Sequence, residues 1–135
     1  MPILSQPRVL LVEDDRGLRE ALRDLLEEIE FDVVGEAGNG EEGVQMVREV
    51  EPDVVLMDLR MPVMGGLEAA RLIRDERPDV QVVILTAYDD PALKEGAEGA
   101  SVYAYLVKGC PPREVGEITM DAWRAKRTRE RLGPR

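Results

Sequence analysis

Short runs of apolar residues alternate along the chain with longer amphipathic stretches. The apolar runs have the length and composition of strands that are buried on both faces of a sheet. The stretches between them repeat apolar residues every three or four positions, as helices with one buried face do. The predicted strands are Val9–Val12, Phe31–Ala37, Val54–Met57, Val82–Leu85 and Val102–Val107. The predicted helices are Arg16–Glu30, Gly40–Glu51, Leu67–Glu76, a weaker segment at about 91–100, and Pro112–Arg131.

This alternation predicts an α/β fold of the (βα)5 type, in which helices cover both faces of a five-stranded parallel sheet. We expect the doubly wound, flavodoxin-like strand order 2-1-3-4-5. One domain is expected at 8–131, after a lead at 1–7 and before a tail or linker at 132–135. The weak fourth helix carries Gly96 and Gly99. Because an interior glycine costs about 0.5–1 kcal/mol relative to alanine, that helix is expected to be short and mobile.

The overall charge narrows the classes of partner. The 135 residues include 28 acidic and 18 basic side chains, for a net charge of −10, which argues against direct nucleic-acid binding. The single cysteine, Cys110, cannot form an internal disulfide, which fits a reducing compartment. Residues 1–8 lack the pattern of a targeting peptide, and no apolar run approaches the ~20 residues of a membrane span. We therefore expect a cytoplasmic protein without membrane contact.

Polar residues follow the predicted strands at the edge where ligand sites of such sheets gather. Glu13–Asp15 follow the first strand, and Asp58, Thr86 and Lys108 follow the third, fourth and fifth. Clustered carboxylates resist ionisation unless a cation neutralises them, and oxygen ligands without histidine favour Mg²⁺. The metal, hydroxyl and ammonium would surround a phosphoryl group with positive charge and donors. A carboxylate can then accept that group as an acyl phosphate.

Four segments resemble the signature segments of receiver domains of two-component response regulators, most closely those of the nitrate-regulator or LuxR-type class. Their order and spacing also fit, with 28 positions from Asp58 to Thr86 and 22 from there to Lys108. The resemblance covers about residues 7–130. The segments are Val-Leu-Leu-Val-Glu-Asp-Asp at 9–15, Val-Leu-Met-Asp-Leu-Arg-Met-Pro at 55–62, Leu-Thr-Ala at 85–87 and Tyr-Leu-Val-Lys at 105–108.

The resemblance implies a role for each residue around the phosphoryl group. Asp58 would accept the group from a sensor histidine kinase, while Thr86 donates a hydrogen bond to it and Lys108 pairs with it. Tyr105 would turn inward when Thr86 moves. The surface of the fourth helix, fifth strand and last helix would then change and control an output protein or an attached DNA-binding domain. Homodimerisation on phosphorylation is a further option.

The resemblance also implies a metal site and residues that set the lifetime of the phosphorylated state. Asp14 and Asp58 would ligate Mg²⁺, with Glu13 completing the acidic pocket and the backbone carbonyl of Arg60 adding a ligand. The side chains of Arg60 and Tyr88 would flank the pocket and tune access of water during dephosphorylation. Such a domain is not an enzyme acting on other molecules, since it promotes only its own phosphorylation and dephosphorylation.

Features beside the motifs carry expectations of their own. Asp15 is expected to cap the first helix. Gly109 stands where many family members have proline, and Ser101-Val102 stands where a Gly-Ala pair is common. The basic residues at 124–131 are interpreted as solvated cations that suit the end of the last helix, with a linker or docking segment as the alternative.

Other functions remain to be weighed against a signalling receiver. The chain is either a stand-alone receiver or the N-terminal half of a transcription regulator. A phosphohydrolase resembling the haloacid dehalogenases would carry a second aspartate two residues after the first, where this chain has Arg60. A pseudo-receiver scaffold would not need intact acidic, hydroxyl and lysine positions. The signalling receiver is therefore the preferred hypothesis.

Overall fold

The computed structural model describes residues 6–87 and 102–132, and their side chains except those at 129–132. The predicted fourth helix, Ser101 and Tyr88 lie outside the described residues. The strands are β1 Arg8–Val12, β2 Asp32–Ala37, β3 Val54–Asp58, β4 Gln81–Thr86 and β5 Ala104–Val107. The helices are α1 Arg16–Glu28, α2 Gly40–Val50, α3 Gly66–Glu76 and the C-terminal helix Pro112–Leu132.

The five strands form one parallel sheet in the order β2-β1-β3-β4-β5, which confirms the predicted order. In the register, Asp58 lies opposite Leu85 and Thr86 lies opposite Val107. The carboxyl ends of β3, β4 and β5 therefore meet at one edge of the sheet.

Two apolar layers hold the helices against the sheet. One contains Met57 and Ile84 and packs against α2 and α3, and the other contains Leu56 and Leu85 and packs against α1 and the C-terminal helix. Every residue of β3 and β4 is buried. Because side chains alternate between the faces of a strand, a central strand covered on both sides is apolar along most of its length. The buried polar residues of these strands lie at their ends: Asp58, Gln81 and Thr86.

Local chemistry sets the ends of α1. Asp15 caps its amino end by accepting a hydrogen bond from the backbone N–H of Leu18 at 3.1 Å, as predicted. The helix ends at Glu28, two residues earlier than predicted, because Glu30 adopts a left-handed φ of 69°. The N–H of Phe31 then bonds to the carbonyl of Leu26 at 2.9 Å, the pattern of a Schellman motif.

One interpretation of the C-terminal basic residues is wrong for Lys126. Its side chain is only 12% exposed, and Nζ lies 3.0 Å from Oδ1 of Asp53 and 3.8 Å from Oδ2 of Asp79. The backbone N–H of Arg8 donates to the same Asp53 carboxylate at 2.9 Å. Lys126 therefore ties the C-terminal helix to the amino ends of the strands instead of lying in solvent.

In the part of the chain that the structure describes, no helix combines the length and apolar character needed to cross a membrane.

Candidate functional site

The carboxyl edge of the sheet brings three carboxylates together. Glu13, Asp14 and Asp58 each offer an oxygen, and these oxygens all lie within 4.8 Å of one another. Glu13 is 1% exposed and Asp58 is 4% exposed, whereas Asp14 is open to solvent. Two buried acids therefore form the floor of the site and one exposed acid forms its rim.

The alternation of side chains along the strands explains why the buried members of the site face one another. Residues two apart on a strand point to the same face. Each of three leucines in the layer under α1 and the C-terminal helix is followed two residues later by a charged residue of the site. These pairs are Leu11 and Glu13, Leu56 and Asp58, and Leu106 and Lys108.

Lys108 bridges the two buried carboxylates. Its Nζ lies 3.0 Å from Oδ2 of Asp58 and 3.2 Å from Oε1 of Glu13. Partial burial of the ammonium lowers the pKa of Lys108, but its bonds to Asp58 and Glu13 outweigh burial and raise that pKa above its usual value. The lysine is therefore a fixed positive charge inside the acidic pocket.

The surroundings of Glu13 oppose the ionisation of its carboxyl group. Burial, together with the nearby charge of Asp58, raises the pKa of Glu13 to about 7, although the N–H of Asp15 at 3.0 Å and Lys108 oppose the shift. Its Oε1 is buried and accepts no hydrogen bond of good geometry from the described residues, even with the lysine nearby. A buried carboxylate oxygen that lacks a well-aligned hydrogen-bond donor is suited to bind a cation.

The donor set suits a hard divalent cation. All three candidate ligands are carboxylates, and the sequence has no histidine. Mg²⁺ prefers one or two carboxylates together with water and phosphate oxygens. Asp14 and Asp58 offer such a pair, with Glu13 beside them, so the residues present fit the predicted metal.

Thr86 and Tyr105 lie on one face of the sheet. Thr86 is buried at the end of β4, and its carbonyl accepts a hydrogen bond from the N–H of Lys108 at 2.6 Å. Tyr105 pairs in register with Ile84, two residues before Thr86. Tyr105 packs, half-buried, against the core layer that contains Ile84. Thr86 and Tyr105 thus lie on the same face of two adjacent strands.

The loop after Asp58 is tightly wound. The N–H of Met64 bonds to the carbonyl of Pro62 at 2.7 Å around Val63, whose φ is 68°. This is a tight turn that a β-branched residue rarely adopts. The Met64 carbonyl accepts from the N–H of Gly40 at 3.0 Å. The turn is therefore anchored to the start of α2 although its valine is largely exposed.

Arg60 and Gly109 lie beside the pocket, and the structure describes the backbone conformation of both. The side chain of Arg60 is exposed, and its backbone N–H lies 3.4 Å from Oδ1 of Asp58; a metal-binding role for its carbonyl stays a prediction. Gly109 adopts a φ of 91°, which glycine tolerates better than other residues. The peptide bonds of the described residues are all trans.

A second set of charges lies behind the acidic loop and was not predicted from the sequence. Arg19 donates from Nη1 to the backbone carbonyl of Glu13 at 2.6 Å and from Nε to Oε1 of Glu36 at 3.0 Å. Arg23 pairs with the other oxygen of Glu36. The available signal was a basic residue one turn into α1 and an acid near the end of β2.

Comparison with known proteins places these features in a family. Residues 9–119 match the family described as response regulator receiver domain. The chain is 44% identical to the response regulator UvrY of Escherichia coli (strain K12) over 108 residues, covering 79% of this chain and 50% of that protein. It is 43% identical to the transcriptional regulatory protein LnrK of Bacillus subtilis (strain 168), covering 75% of this chain and 46% of that protein. The chain thus spans about half the length of these relatives.

Solved structures show the same likeness. A LuxR-family two-component response regulator from Aurantimonas sp. SI85-9A1 superposes with a TM-score of 0.84 at 33% identity, covering 89% of this chain and 86% of that one. A LuxR-family DNA-binding response regulator from Staphylococcus aureus gives 0.82 at 29% identity, covering 87% and 98%.

Proposed function

This chain belongs to the response regulator receiver family, and from that premise we propose that it accepts a phosphoryl group on Asp58 from a sensor histidine kinase in a Mg²⁺-dependent reaction. The observation that carries the proposal is the convergence of Glu13, Asp14 and Asp58 with the ammonium of Lys108 at one strand edge. The partly buried ammonium of Lys108 lies against the buried carboxylate of Asp58, beside the carboxylates of Glu13 and Asp14.

In the proposed transfer, an oxygen of Asp58 attacks phosphorus as the P–N bond of a phosphohistidine breaks, and the imidazole leaves with its electron pair. Bound Mg²⁺, held by Asp14 and Asp58 with Glu13 nearby and with the carbonyl of Arg60 as a further ligand, would neutralise part of the negative charge. Lys108 would exchange its contact with Asp58 for a phosphoryl oxygen.

The direct test is phosphorylation by acetyl phosphate, followed by intact mass. We expect one added phosphoryl group with Mg²⁺, none in EDTA and none in Asp58→Asn. Repulsion between the donor and the uncompensated acids explains the metal requirement. Full phosphorylation in EDTA, or of Asp58→Asn, would overturn the proposal.

The metal ligand has a matched control one residue away. Asp14→Ala should weaken Mg²⁺ binding in a titration, while Asp15→Ala should leave it nearly unchanged because the Asp15 side chain caps α1. Equal losses in the two variants would show that the ligand is misassigned.

The output side of the proposal rests on Thr86 and Tyr105. A phosphoryl group draws the Thr86 hydroxyl toward it, and Tyr105 on the same face responds by turning inward. We expect the affected surface to be that of β5 and the C-terminal helix together with the predicted fourth helix, which lies outside the described residues. We expect it to control a partner, homodimerisation or an attached DNA-binding domain. The LuxR-family DNA-binding response regulator from Staphylococcus aureus supports a DNA-binding output. The net charge of −10 supports the absence of nucleic-acid contact by this domain itself, and we propose a cytoplasmic location. Hydrogen exchange that changes on phosphorylation only in α1 and α2 would contradict the role of this surface.

Two side chains are proposed to set the lifetime of the phosphorylated state. Arg60 is exposed beside Asp58, and Tyr88 follows two residues after Thr86. Neither can orient an attacking water as a carboxylate or amide would, so we expect a lifetime of minutes or longer. The rates of dephosphorylation of Tyr88→Ala and of the double variant with Arg60→Asn test this. If these rates agree with that of the wild type within about twofold, the two side chains do not control the lifetime of the phosphorylated state.

A further inference from the structure

We propose that Arg19 is a positioning residue for the metal-binding loop: it fixes the peptide that joins Glu13 to Asp14 and thereby aims their carboxylates at one cation. The inference rests on the proposed function, because it concerns the same acidic pocket. It assigns a task to an arginine that lies outside every signature segment of the family resemblance.

The loop between β1 and α1 is anchored on every side of Asp14. The N–H of Glu13 donates to the carbonyl of Ala37 at 3.0 Å, and the carbonyl of Glu13 accepts from Arg19 at 2.6 Å. The N–H of Asp15 donates to the Glu13 carboxylate at 3.0 Å. Asp14 itself is exposed, so its direction depends on these neighbours and not on packing.

The hydrogen bond from Arg19 to the Glu13 carbonyl also orients Asp14, because a peptide unit is planar. The carbonyl that Arg19 holds belongs to the same plane as the N–H of Asp14. The Cα of Asp14 also lies in that plane. Fixing the plane therefore fixes the position of this Cα and limits the positions that the Asp14 carboxylate can reach. Without this contact, the Glu13 carbonyl has no other hydrogen-bond donor among the described residues, and the orientation of the plane is less restrained.

Arg19 is itself held in place. Its Nε donates to Oε1 of Glu36, and the other Glu36 oxygen is taken by Arg23, which also donates to Glu27 at 3.3 Å. The Arg19 and Glu36 side chains are about three-quarters buried. Because the guanidinium is planar with donors on separate nitrogens, it can bond to a carboxylate and a carbonyl in one fixed orientation.

The charges of this network nearly cancel. An effect of Arg19 on metal binding would therefore come from the orientation of the loop and not from the charge of the guanidinium. Two arginines face Glu36 and Glu27. Arg19 therefore adds little net positive field that would oppose a cation in the pocket. Groups that orient metal ligands typically contribute 10–100-fold to metal affinity, and we assign Arg19 to that class of effect.

The experiment measures Mg²⁺ binding by calorimetry in the 135-residue protein without a phosphodonor. Arg19→Met keeps the aliphatic stem and removes both donors. Arg16→Met is the matched control, because Arg16 lies on the same helix and pairs with Glu20 in solvent without touching the loop. We expect roughly tenfold weaker binding in Arg19→Met and wild-type affinity in Arg16→Met, with both proteins folded by circular dichroism.

A second variant and a metal-free readout separate positioning from charge and from folding. Arg19→Lys keeps the charge but has one nitrogen, so it should bind Mg²⁺ as weakly as Arg19→Met. In EDTA, the amide of Asp15 should exchange faster in both Arg19 variants than in wild type. Full recovery by lysine, or wild-type affinity in Arg19→Met, overturns the positioning role. No Mg²⁺ binding by wild type would instead overturn the proposed function, and this inference with it.

Discussion

The Nζ of Lys108 lies 3.0 Å from Oδ2 of Asp58, so an ammonium already touches the carboxylate that we propose as the phosphoacceptor. The same nitrogen lies 3.2 Å from Oε1 of Glu13. A cation held by these carboxylates would therefore share their oxygens with the lysine, which would give up its contact with Asp58 to pair with a phosphoryl oxygen.

Lys108→Met should separate metal binding from phosphorylation. Removing a positive charge from the path of the phosphoryl group should slow phosphorylation by acetyl phosphate at least about tenfold, or about 1.4 kcal/mol of barrier. Mg²⁺ affinity should be unchanged or higher, because a competing cation is gone. Time-resolved intact mass and a Mg²⁺ titration measure the two effects, with Asp58→Asn as the baseline. A wild-type rate, or much weaker Mg²⁺ binding, would contradict this role.

The raised pKa of Glu13 predicts a pH dependence of the metal-free protein. Burial raises that pKa from 4.5 to about 7, so between these values the folded chain binds a proton that the unfolded chain has released. Glu13 therefore destabilises the folded state progressively as pH rises from about 4.5 to about 7, by on the order of 3 kcal/mol.

Urea unfolding in EDTA at several pH values tests the dependence on Glu13. Wild type should lose this stability over the window, and Glu13→Gln should show a flatter profile because an amide has no proton to release. Parallel profiles for the two proteins would show that another group controls the pH response.

The fold was largely predictable because its sheet is buried on both faces. Continuous apolar runs such as Val54–Met57 reveal strands of this kind without any knowledge of their partners. The ends of elements were less predictable. Glu30 ends α1 by adopting a left-handed φ, a conformation more common for glycine or asparagine, so its sequence carries no obvious stop signal.

The site likewise has residues whose position could be predicted from the sequence and contacts that could not. Asp58, Thr86 and Lys108 were predictable because each directly follows an apolar run, and parallel strands end at one edge. The pairing of Arg19 with Glu36 was not, because it joins a helix to a strand 17 positions away and leaves no periodic trace. Only the folded chain shows which of many surface charges are partners.

Lys126 should contribute far more to stability than its position near the chain end suggests. Lys126→Met leaves the carboxylate of Asp53, which is mostly buried, without its ammonium. Removing one partner of a buried ion pair costs several kcal/mol, and we expect about 2–4 kcal/mol here. Arg124→Met is the control, since Arg124 pairs with Asp121 in solvent, where such pairs contribute about 0–1 kcal/mol. Similar urea midpoints for the two variants would contradict the anchoring role.

Gly66 connects the start of α3 to the phosphoacceptor through the backbone. A Cβ added at Gly66 would lie 2.3 Å from the carbonyl oxygen of Asp58, and its N–H bonds to the carbonyl of Leu59 at 2.9 Å. Gly66→Ala must therefore move either α3 or the end of β3, which displaces Asp58. We expect at least about 2 kcal/mol of lost stability, in the range of overpacking in a tight site, and slower phosphorylation by acetyl phosphate. Gly17→Ala is the matched helical control, because its Cβ would meet nothing closer than the Asp15 carboxylate at 3.5 Å and alanine favours helix by up to ~1 kcal/mol. If Gly66→Ala matched Gly17→Ala in both urea unfolding and phosphorylation rate, the close approach of α3 to Asp58 would not be what holds the phosphoacceptor in place.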